Sequence, residues 1–459
     1  MNRRSFLKTA LGAFPLLISA KAMGLNGPGA NDTVNVGLIG LGGRCRDIAK
    51  TCAGVPGMRI VAVCDCFEPR INAFIGEMGP NEGWHGYTDL RRMFEKENLD
   101  AAMVITTTHA RAWVASQAMA AGLDTYIEKP ICLTIDEGRD LVRLARKFKR
   151  VTQVGTQQRS IPLNNWASDL VKNGALGKVT SVLAPNFIGP ERWTPMPGQA
   201  LPEGGDEDWW DVWTNQTELR PYHKELHRNW AKWWDYDGGG LSFGVTGWGA
   251  HSYDQIQRGL GTSDTGPVEI VLDEAVRTMP AGAFEERQPG EDETGAPYYH
   301  MVKKSAGPRA KVRMKYANGA ELRLEQDADH SPGLGCVFVG ENGRIEINRD
   351  RISSDRQELM AGPDRPPTLS VLETHPHIEN WIECIRTRER CNADIEFGHR
   401  SNSLCCLVNI ARDMGKVGVP LLWDPAEEKF TNCDEANEML SRPRRKGYKL
   451  RTRRIMRRG

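Results

Sequence analysis

The sequence predicts a two-domain α/β protein whose first third is a doubly wound parallel sheet. Three observations point there. Short β-branched and apolar runs alternate with amphipathic segments over residues 33–155, and the first run leads directly into a glycine-rich turn. The length of 459 residues also exceeds what one hydrophobic core fills. On this reading the chain divides into a leader (1–22), a linker (23–32), the domain with the alternating pattern (33–155), a second domain (156–430) and a closing segment (431–459).

The chain begins "MNRRSFLKTALGAFPLLISAKAMG". Arg3 and Arg4 precede a modest apolar stretch, and Ala20-Lys21-Ala22 has the small-residue form of a cleavage site. That order reads as a twin-arginine export signal, which a short amphipathic helix does not explain. The mature chain is expected to start near Met23 and to work in the periplasm or otherwise outside the cytoplasm. After Ala22 no uncharged apolar run is long enough to span a bilayer, so no integral membrane segment is expected after cleavage. The eleven cysteines are an odd number at spacings that match no zinc pattern, and read as small buried apolar residues.

From Thr33 the text runs "TVNVGLIGLGGRCRDIAKTCAG". The strand-like Val34–Ile39 meets Gly40-Leu41-Gly42-Gly43-Arg44, then a helix-like segment with Ile48 and Cys52. Glycines in such a turn let backbone N–H groups approach a pyrophosphate at a helix N-terminus. The third glycine position of the usual fingerprint is Cys45 here. The next run, "MRIVAVCD", ends in Asp65, where a carboxylate accepts both ribose hydroxyls of NAD and repels a 2′-phosphate. Arg44 and Arg70 leave NADP open as the alternative.

The alternation continues through a strand at 101–106, a helix over 109–121 closed by Gly122, and a strand "TYIEKP" ending at Pro130. Thr134 and Glu137 then form a capping box for a helix with Leu141, Leu144, Ala145 and Phe148 on one face. Ligands of such sheets bind beyond the carboxyl ends of the strands, which places Asp65, Thr106, Thr107 and Lys129 together. Pro130 favours extended backbone at Lys129, aiming its side chain over the strand ends. Desolvation beside a nicotinamide ring would lower the lysine pKa and suit it to protonate or hydrogen-bond a carbonyl oxygen.

The elements "GLIGLGG", "VAVCD", "YIEKP", "QVGTQQRS" and "GWGAHSYD" together resemble the Gfo/Idh/MocA oxidoreductases, and the resemblance extends over nearly all of the mature chain. It implies an N-terminal Rossmann domain, a C-terminal α/β domain with a large open, mainly antiparallel sheet used for homo-oligomerisation, and a sugar, polyol or glycoside substrate. Carried over, Gly40, Gly42 and Gly43 hold the pyrophosphate and Asp65 the adenosine ribose. Glu128 and Lys129 take the nicotinamide side, and Lys129 with His251 the reacting hydroxyl. Leu41, Arg44, Thr106, Thr107, His109 and Gln157 complete the expected cofactor contacts.

Two departures stand out. The family pattern Asp-x-Gly-x-His has Gly247 at the Asp position, and "TTTHARAW" carries Thr108 and Ala112 where relatives have Pro and His. Tyr236 or Asp237 in "WWDYDGGG" are candidates to replace the lost acid. Asp254, one helical turn after His251, either orients the imidazole or serves as a packing and salt-bridge residue.

Eight of the thirteen tryptophans fall within 193–248. Most are expected to pack a local core, with one or two facing a sugar. His223 and His227 are four apart, but no third ligand accompanies them and no metal is expected. The Gly-, Pro- and Glu-rich stretch 281–297 reads as an exposed loop. From Arg442 onward the chain holds ten Lys or Arg and no acid. Without aromatic interleaving or a finger-like motif this predicts a solvated tail on an acidic body, not a nucleic-acid-binding element.

Three functions fit these residues: an exported NAD-dependent sugar oxidoreductase, a redox-neutral glycosidase using the same cofactor, and a non-catalytic NAD-binding sugar sensor.

Overall fold

The computed structural model describes residues 33–279, 290–291, 297–298, 306–326, 333–349, 351–362, 364–367 and 375–452. The leader, the linker, the last seven residues and most of the 281–297 stretch lie outside them.

Strands β1 (Val34–Ile39), β2 (Met58–Cys64), β3 (His85–Tyr87), β4 (Ala101–Val104), β5 (Asp124–Ile127) and β6 (Thr152–Val154) form one parallel sheet. Their order is β3-β2-β1-β4-β5-β6, so the chain reverses direction across the sheet between β1 and β4 and leaves a crevice at their carboxyl ends. Val36, Leu38, Met103 and Tyr126 are fully buried, as strands covered on both faces require. The crossovers are α1 (Gly43–Cys52), α2 (Glu68–Met78), α3 (Leu90–Lys96), α4 (Thr108–Ala120) and α5 (Ile135–Lys147).

The capping box of α5 is offset by one residue. Thr134 Oγ1 accepts the Glu137 N–H at 3.3 Å, but Glu137 Oε2 reaches back to the N–H of Leu133 at 3.0 Å. Its other oxygen accepts from Arg444.

The second domain is built on a nine-stranded mixed sheet. Its strands are β7 (Val179–Pro185), β8 (Glu269–Leu272), β9 (Val312–Lys315), β10 (Glu321–Gln326), β11 (Cys336–Gly340), β12 (Gly343–Asn348), β13 (Arg351–Ser354), β14 (Leu421–Asp424) and β15 (Lys429–Phe430). The order is β13-β12-β11-β7-β10-β9-β8-β14-β15, antiparallel throughout except for the parallel pair β7 and β10. Leu163 and Val171 of α6 (Pro162–Lys172), Tyr253 and Ile256 of α9 (Gly249–Gly259), and Leu404 and Val408 of α11 (Ile395–Met414) bury one face of it.

Between the domains, the insertion carries α7 (Glu207–Thr214) and α8 (Lys224–Arg228). Trp209, Trp210, Trp213, Tyr222, Trp233 and Tyr236 form a core of their own there, which also takes up His227 against Trp209 and Trp213. His223 caps α8 by accepting the Glu225 N–H at 3.2 Å. Among the described residues no group of three or more His, Cys, Asp or Glu is placed to hold a metal, and no helix is long and apolar enough to cross a membrane.

Two segments depart from the expected division. Helix α10 (His375–Thr387) returns to the first domain, where Ile378, Trp381 and Ile382 pack among Val34, Val36, Leu38 and Tyr126. The basic segment is not a solvated tail as far as Thr452. Arg442 stacks on Trp234 at 3.5 Å, Arg444 pairs with Glu137, Arg445 with Asp211, and Leu450 packs on the first domain. Three of its cations, Arg442, Arg444 and Arg445, have specific partners, and Tyr448 and Leu450 supply apolar anchors that the charge run conceals.

Candidate active site

A cavity of about 600 Å³ opens over the carboxyl ends of β1, β2, β4 and β5 and continues under the aromatic insertion. The glycine turn forms one wall. Gly40 has φ +90°, and a Cβ there would stand 2.7 Å from the backbone of Thr106, so only glycine lets β1 turn this close to the exit of β4. Gly42 caps α1 without any side-chain acceptor, and a Cβ on Gly42 or Gly43 would enter open space. The first turn of α1 thus meets the cavity through bare backbone, a cradle that fits a pyrophosphate.

Asp65 ends β2 with Oδ2 accepting the Leu41 N–H at 2.9 Å and Oδ1 the Phe67 N–H at 3.0 Å. Arg70 stands 3.7 Å from Oδ2. Leu41 is fully buried and does not line the cavity; in place of the expected cofactor contact, its N–H holds Asp65. Thr106, Thr107 and Gln157 line the cavity, and Gln157 Oε1 is buried without a hydrogen-bond partner among the described residues.

Glu128, 2% exposed, accepts from Arg44 Nε at 2.8 Å and from the Lys129 N–H at 2.8 Å. Burial pushes its carboxyl up, but Arg44, Lys129 and Arg111 together outweigh this and hold it below the usual range. Lys129 precedes Pro130 through a cis peptide bond and donates from Nζ to the carbonyl of Gly247 at 2.9 Å. Burial brings its ammonium down to about 8, against the opposing charges of Glu128 and Asp237.

His251 sits in the first turn of α9 and lines the same cavity. Burial, with the charges of Arg349, Lys129 and Arg44, holds its imidazole well below the ordinary histidine value, so the ring is neutral. Asp237 lines the cavity as well, its oxygens taken by the hydroxyls of Thr108, at 2.5 Å, and Thr246. Burial pushes its carboxyl up, the two hydroxyls and the charges of Arg111 and Lys129 opposing.

Three further expected site residues lie elsewhere. Tyr236 is fully buried in the tryptophan core, its ring facing Trp213 and His109. Asp254 does not orient His251; it accepts from Arg159 Nε at 2.8 and 2.9 Å and from Ser401 at 2.7 Å. His109 is fully buried with Nε2 2.7 Å from the carbonyl of Trp213, and burial brings it down to about 4. Of the candidates for the lost acid, only Asp237 reaches the cavity.

The cavity also takes Arg111, Asn215, Trp230, Trp248, Leu334 and Arg349, none of which the sequence singled out. Arg111 had a signal in the alanine-rich face of α4, where a buried arginine needs acceptors; it finds the carbonyls of Pro130 and Thr106. Arg349 follows β12 and arrives only through the pairing of the second sheet, which leaves no local pattern.

Residues 34–156 match the family model described as an oxidoreductase family with an NAD-binding Rossmann fold. Residues 170–287 and 283–450 match that family's C-terminal alpha/beta domain. The chain belongs to the Gfo/Idh/MocA oxidoreductase family. Its N-terminal domain is the family's NAD-binding unit, and the bare glycine cradle, Asp65 and the unpartnered Gln157 suit that cofactor.

Among its Gfo/Idh/MocA relatives is a glycosyl hydrolase family 109 protein of Saccharopolyspora erythraea, 30% identical over 152 residues that cover 31% of this chain and 33% of that protein. The chain thus spans about a third of the length of this curated relative. The same fold occurs in the WlbA dehydrogenase from Bordetella pertussis in complex with NADH and UDP-GlcNAcA. There the TM-score is 0.57 and the identity 15%, over 85% of this chain and 98% of that one. It occurs also in the aldose-aldose oxidoreductase from Caulobacter crescentus complexed with glycerol, with TM-score 0.56 and 16% identity over 85% and 99%.

The family departure at Gly247 has a steric cause. A Cβ there would lie 2.0 Å from the carbonyl oxygen of Leu241, so no side chain fits. The Gly247 carbonyl faces Lys129 instead, and Asp237, which lines the same cavity, is tied to Thr246 next to that glycine.

Proposed function

We propose that the protein is an exported NAD-dependent oxidoreductase that acts at a secondary alcohol of a sugar, polyol or glycoside and keeps its cofactor between turnovers. The observation that carries this reading is the convergence of Lys129, His251 and Asp237 on one cavity that begins at the bare glycine turn of the NAD-binding domain. When bound, NAD supplies the hydride acceptor and donor.

The chain's own residues do the rest. His251, neutral and buried, accepts the hydroxyl proton of the substrate. Lys129 in its ammonium form stabilises the negative charge that develops on the same oxygen. Asp237 keeps that ammonium charged against burial and, with Thr108 and Thr246, holds the wall on which it acts. Glu128 fixes Arg44 and the backbone of Lys129. Trp230 and Trp248 line the cavity half-exposed, which suits them to meet the C–H face of a sugar ring.

The twin-arginine leader supports work in a compartment without a maintained nicotinamide pool, where released NADH is not reoxidised. Recycling in place meets that constraint. The open face of the nine-stranded sheet is the expected surface for homo-oligomer formation.

The glycosyl hydrolase family 109 relatives favour a second reading within the same site, a redox-neutral hydrolysis by oxidation, elimination and reduction. Anaerobic incubation of purified enzyme with a panel of sugars and glycosides separates the two. Product accumulating over many turnovers without net NADH absorbance supports recycling, whereas stoichiometric NADH from added NAD shows a plain dehydrogenase. No turnover of any sugar, with NAD still bound, leaves the non-catalytic sensor.

A further inference from the structure

Helix α7 is seated on the adenosine side of the NAD-binding domain. Trp209 packs its ring 4.8 Å from Phe67, two residues beyond Asp65, and Gly204 abuts Pro69 at the start of α2. From the end of this helix Val212 and Asn215 line the cavity, which Leu90, Trp113 and Val114 of the first domain line as well. Val212 is 44% exposed despite being apolar. Asn215 is 2% exposed, its Oδ1 has no hydrogen-bond partner among the described residues, and its backbone is left-handed at φ +52°. An asparagine tolerates that conformation better than most residues, yet it needs an external hold.

The hold comes from the C-terminal basic segment. Arg445 donates to Asp211 Oδ2 at 2.6 Å, to the Asp211 carbonyl at 2.8 Å, to Thr214 Oγ1 at 3.0 Å and to the Asn215 carbonyl at 2.6 and 2.9 Å. Tyr448 donates to Asp211 Oδ1 at 3.0 Å and sets its ring edge-on to Trp113 at 5.3 Å. Beyond it, Leu450 packs against the first-domain core that includes Leu90 and Val114, the Arg451 N–H donates to Ser116 Oγ at 3.0 Å, and the Thr452 carbonyl accepts from Lys147 at 2.8 Å. Every donor of the Arg445 side chain thus ends on the last turn of α7, while the residues after it are anchored on α4 and α5 of the other domain.

We propose that residues 445–452 form a strap that builds the adenosine-side wall of the NAD site, with Arg445 and Tyr448 as positioning residues for Val212 and Asn215. The apolar side chains of Leu90, Val114, Trp113 and Val212 suit the flat faces of an adenine ring, and Asn215 Oδ1 offers an acceptor to an N–H or O–H donor of the adenosine. Four hydrogen-bonding groups of α7 share one guanidinium, so the wall opens only when all of them are released together. The strap thereby slows the departure of the dinucleotide, and its effect falls on the adenosine half alone. This rests on the reading of the cavity as the site of a retained NAD.

The test compares wild-type protein with Arg445→Ala and Tyr448→Phe, using three probes: NADH, ADP-ribose and reduced nicotinamide mononucleotide. NADH release is followed by loss of energy transfer from tryptophan, and affinities by titration. The strap requires NADH to leave Arg445→Ala at least tenfold faster than wild type and ADP-ribose to weaken in parallel, with affinity for the mononucleotide unchanged. Tyr448→Phe, which removes one hydroxyl and keeps the ring on Trp113, is expected to show a smaller effect of the same kind, about threefold, and decides the matter if Arg445→Ala does not fold. Equal NADH release from wild type and variants overturns the strap, as does equal weakening of dinucleotide and mononucleotide, which indicates general loosening. Wild-type protein that binds neither NADH nor ADP-ribose overturns the NAD reading itself.

Discussion

Lys129 Nζ lies 2.9 Å from the carbonyl oxygen of Gly247, joining the end of β5 in the first domain to the loop that precedes His251. The lysine is held by backbone on its far side and by opposite charges, Glu128 and Asp237, around it. Replacing Lys129 by Ala is expected to lower kcat by about 10²–10³-fold, the range for loss of a group that stabilises charge developing on the reacting oxygen. NAD affinity is expected to stay within a few-fold, because the glycine cradle and Asp65 are untouched. Turnover at the wild-type rate on the true substrate would remove Lys129 from the reaction.

The pH profile follows from two shifts of known direction. His251 is already neutral well below the usual histidine range, so alcohol oxidation is expected to show no ascending limb from it between about pH 6 and 8. Lys129 loses its proton near pH 8, and kcat/KM for oxidation is expected to fall as pH rises through that value. In Lys129→Arg, whose guanidinium does not titrate there, residual activity is expected to lose that limb. An unchanged limb in the arginine variant assigns it to another group.

Restoring the family carboxylate by Gly247→Asp is expected to damage the enzyme. The new Cβ would overlap the Leu241 carbonyl, at an expected cost of about 1–3 kcal/mol of stability from backbone displacement. Loss of turnover and a lower midpoint in urea are the expected results. A gain in activity would show that the loop has room the structure denies it.

Asp254→Asn separates a structural carboxylate from a catalytic one. Its pairing with Arg159 is almost completely buried, and breaking such a pair from one side costs about 3–5 kcal/mol. Denaturant unfolding is expected to register that loss, while kcat per folded molecule and its pH profile stay as in wild type. A shifted pH profile would return Asp254 to the relay.

A chain ending after Thr452 is expected to retain full turnover and full NAD retention, since the last described anchor is the Thr452 carbonyl on Lys147. Faster release of NADH from that truncation would extend the strap past the described residues.

The parallel sheet was legible because its signals are local: an apolar run, a glycine turn, a capping threonine and a carboxylate at a strand end are each written within a few residues. The same locality made Gly40, Asp65 and Lys129 readable, whereas His251 was reached through the family resemblance. Tyr236 and Asp237 are adjacent in sequence, and only packing decides that the tyrosine enters the tryptophan core while the carboxylate turns to Thr108 and Thr246. Of the two roles open to Asp254, the salt bridge is the one the structure shows; helical spacing to His251 is visible in sequence, whereas Arg159, 95 residues away, is not. The docking of the basic segment was hidden for a similar reason: charge density reads as solvation until Arg442, Arg444 and Arg445 are given their acceptors.

That docking also sets an order of events in time. Helix α10, which completes the core of the first domain, leaves the ribosome roughly sixty residues before Arg445 and Tyr448, so that domain can fold with the adenosine side of its cleft still uncovered. A nucleotide entering at that stage meets an open groove, and one arriving after residues 445–452 have docked must pass the finished wall. Loading of the cofactor is therefore easiest during synthesis or early folding, and protein refolded to completion without NAD will take it up slowly when it is added afterwards.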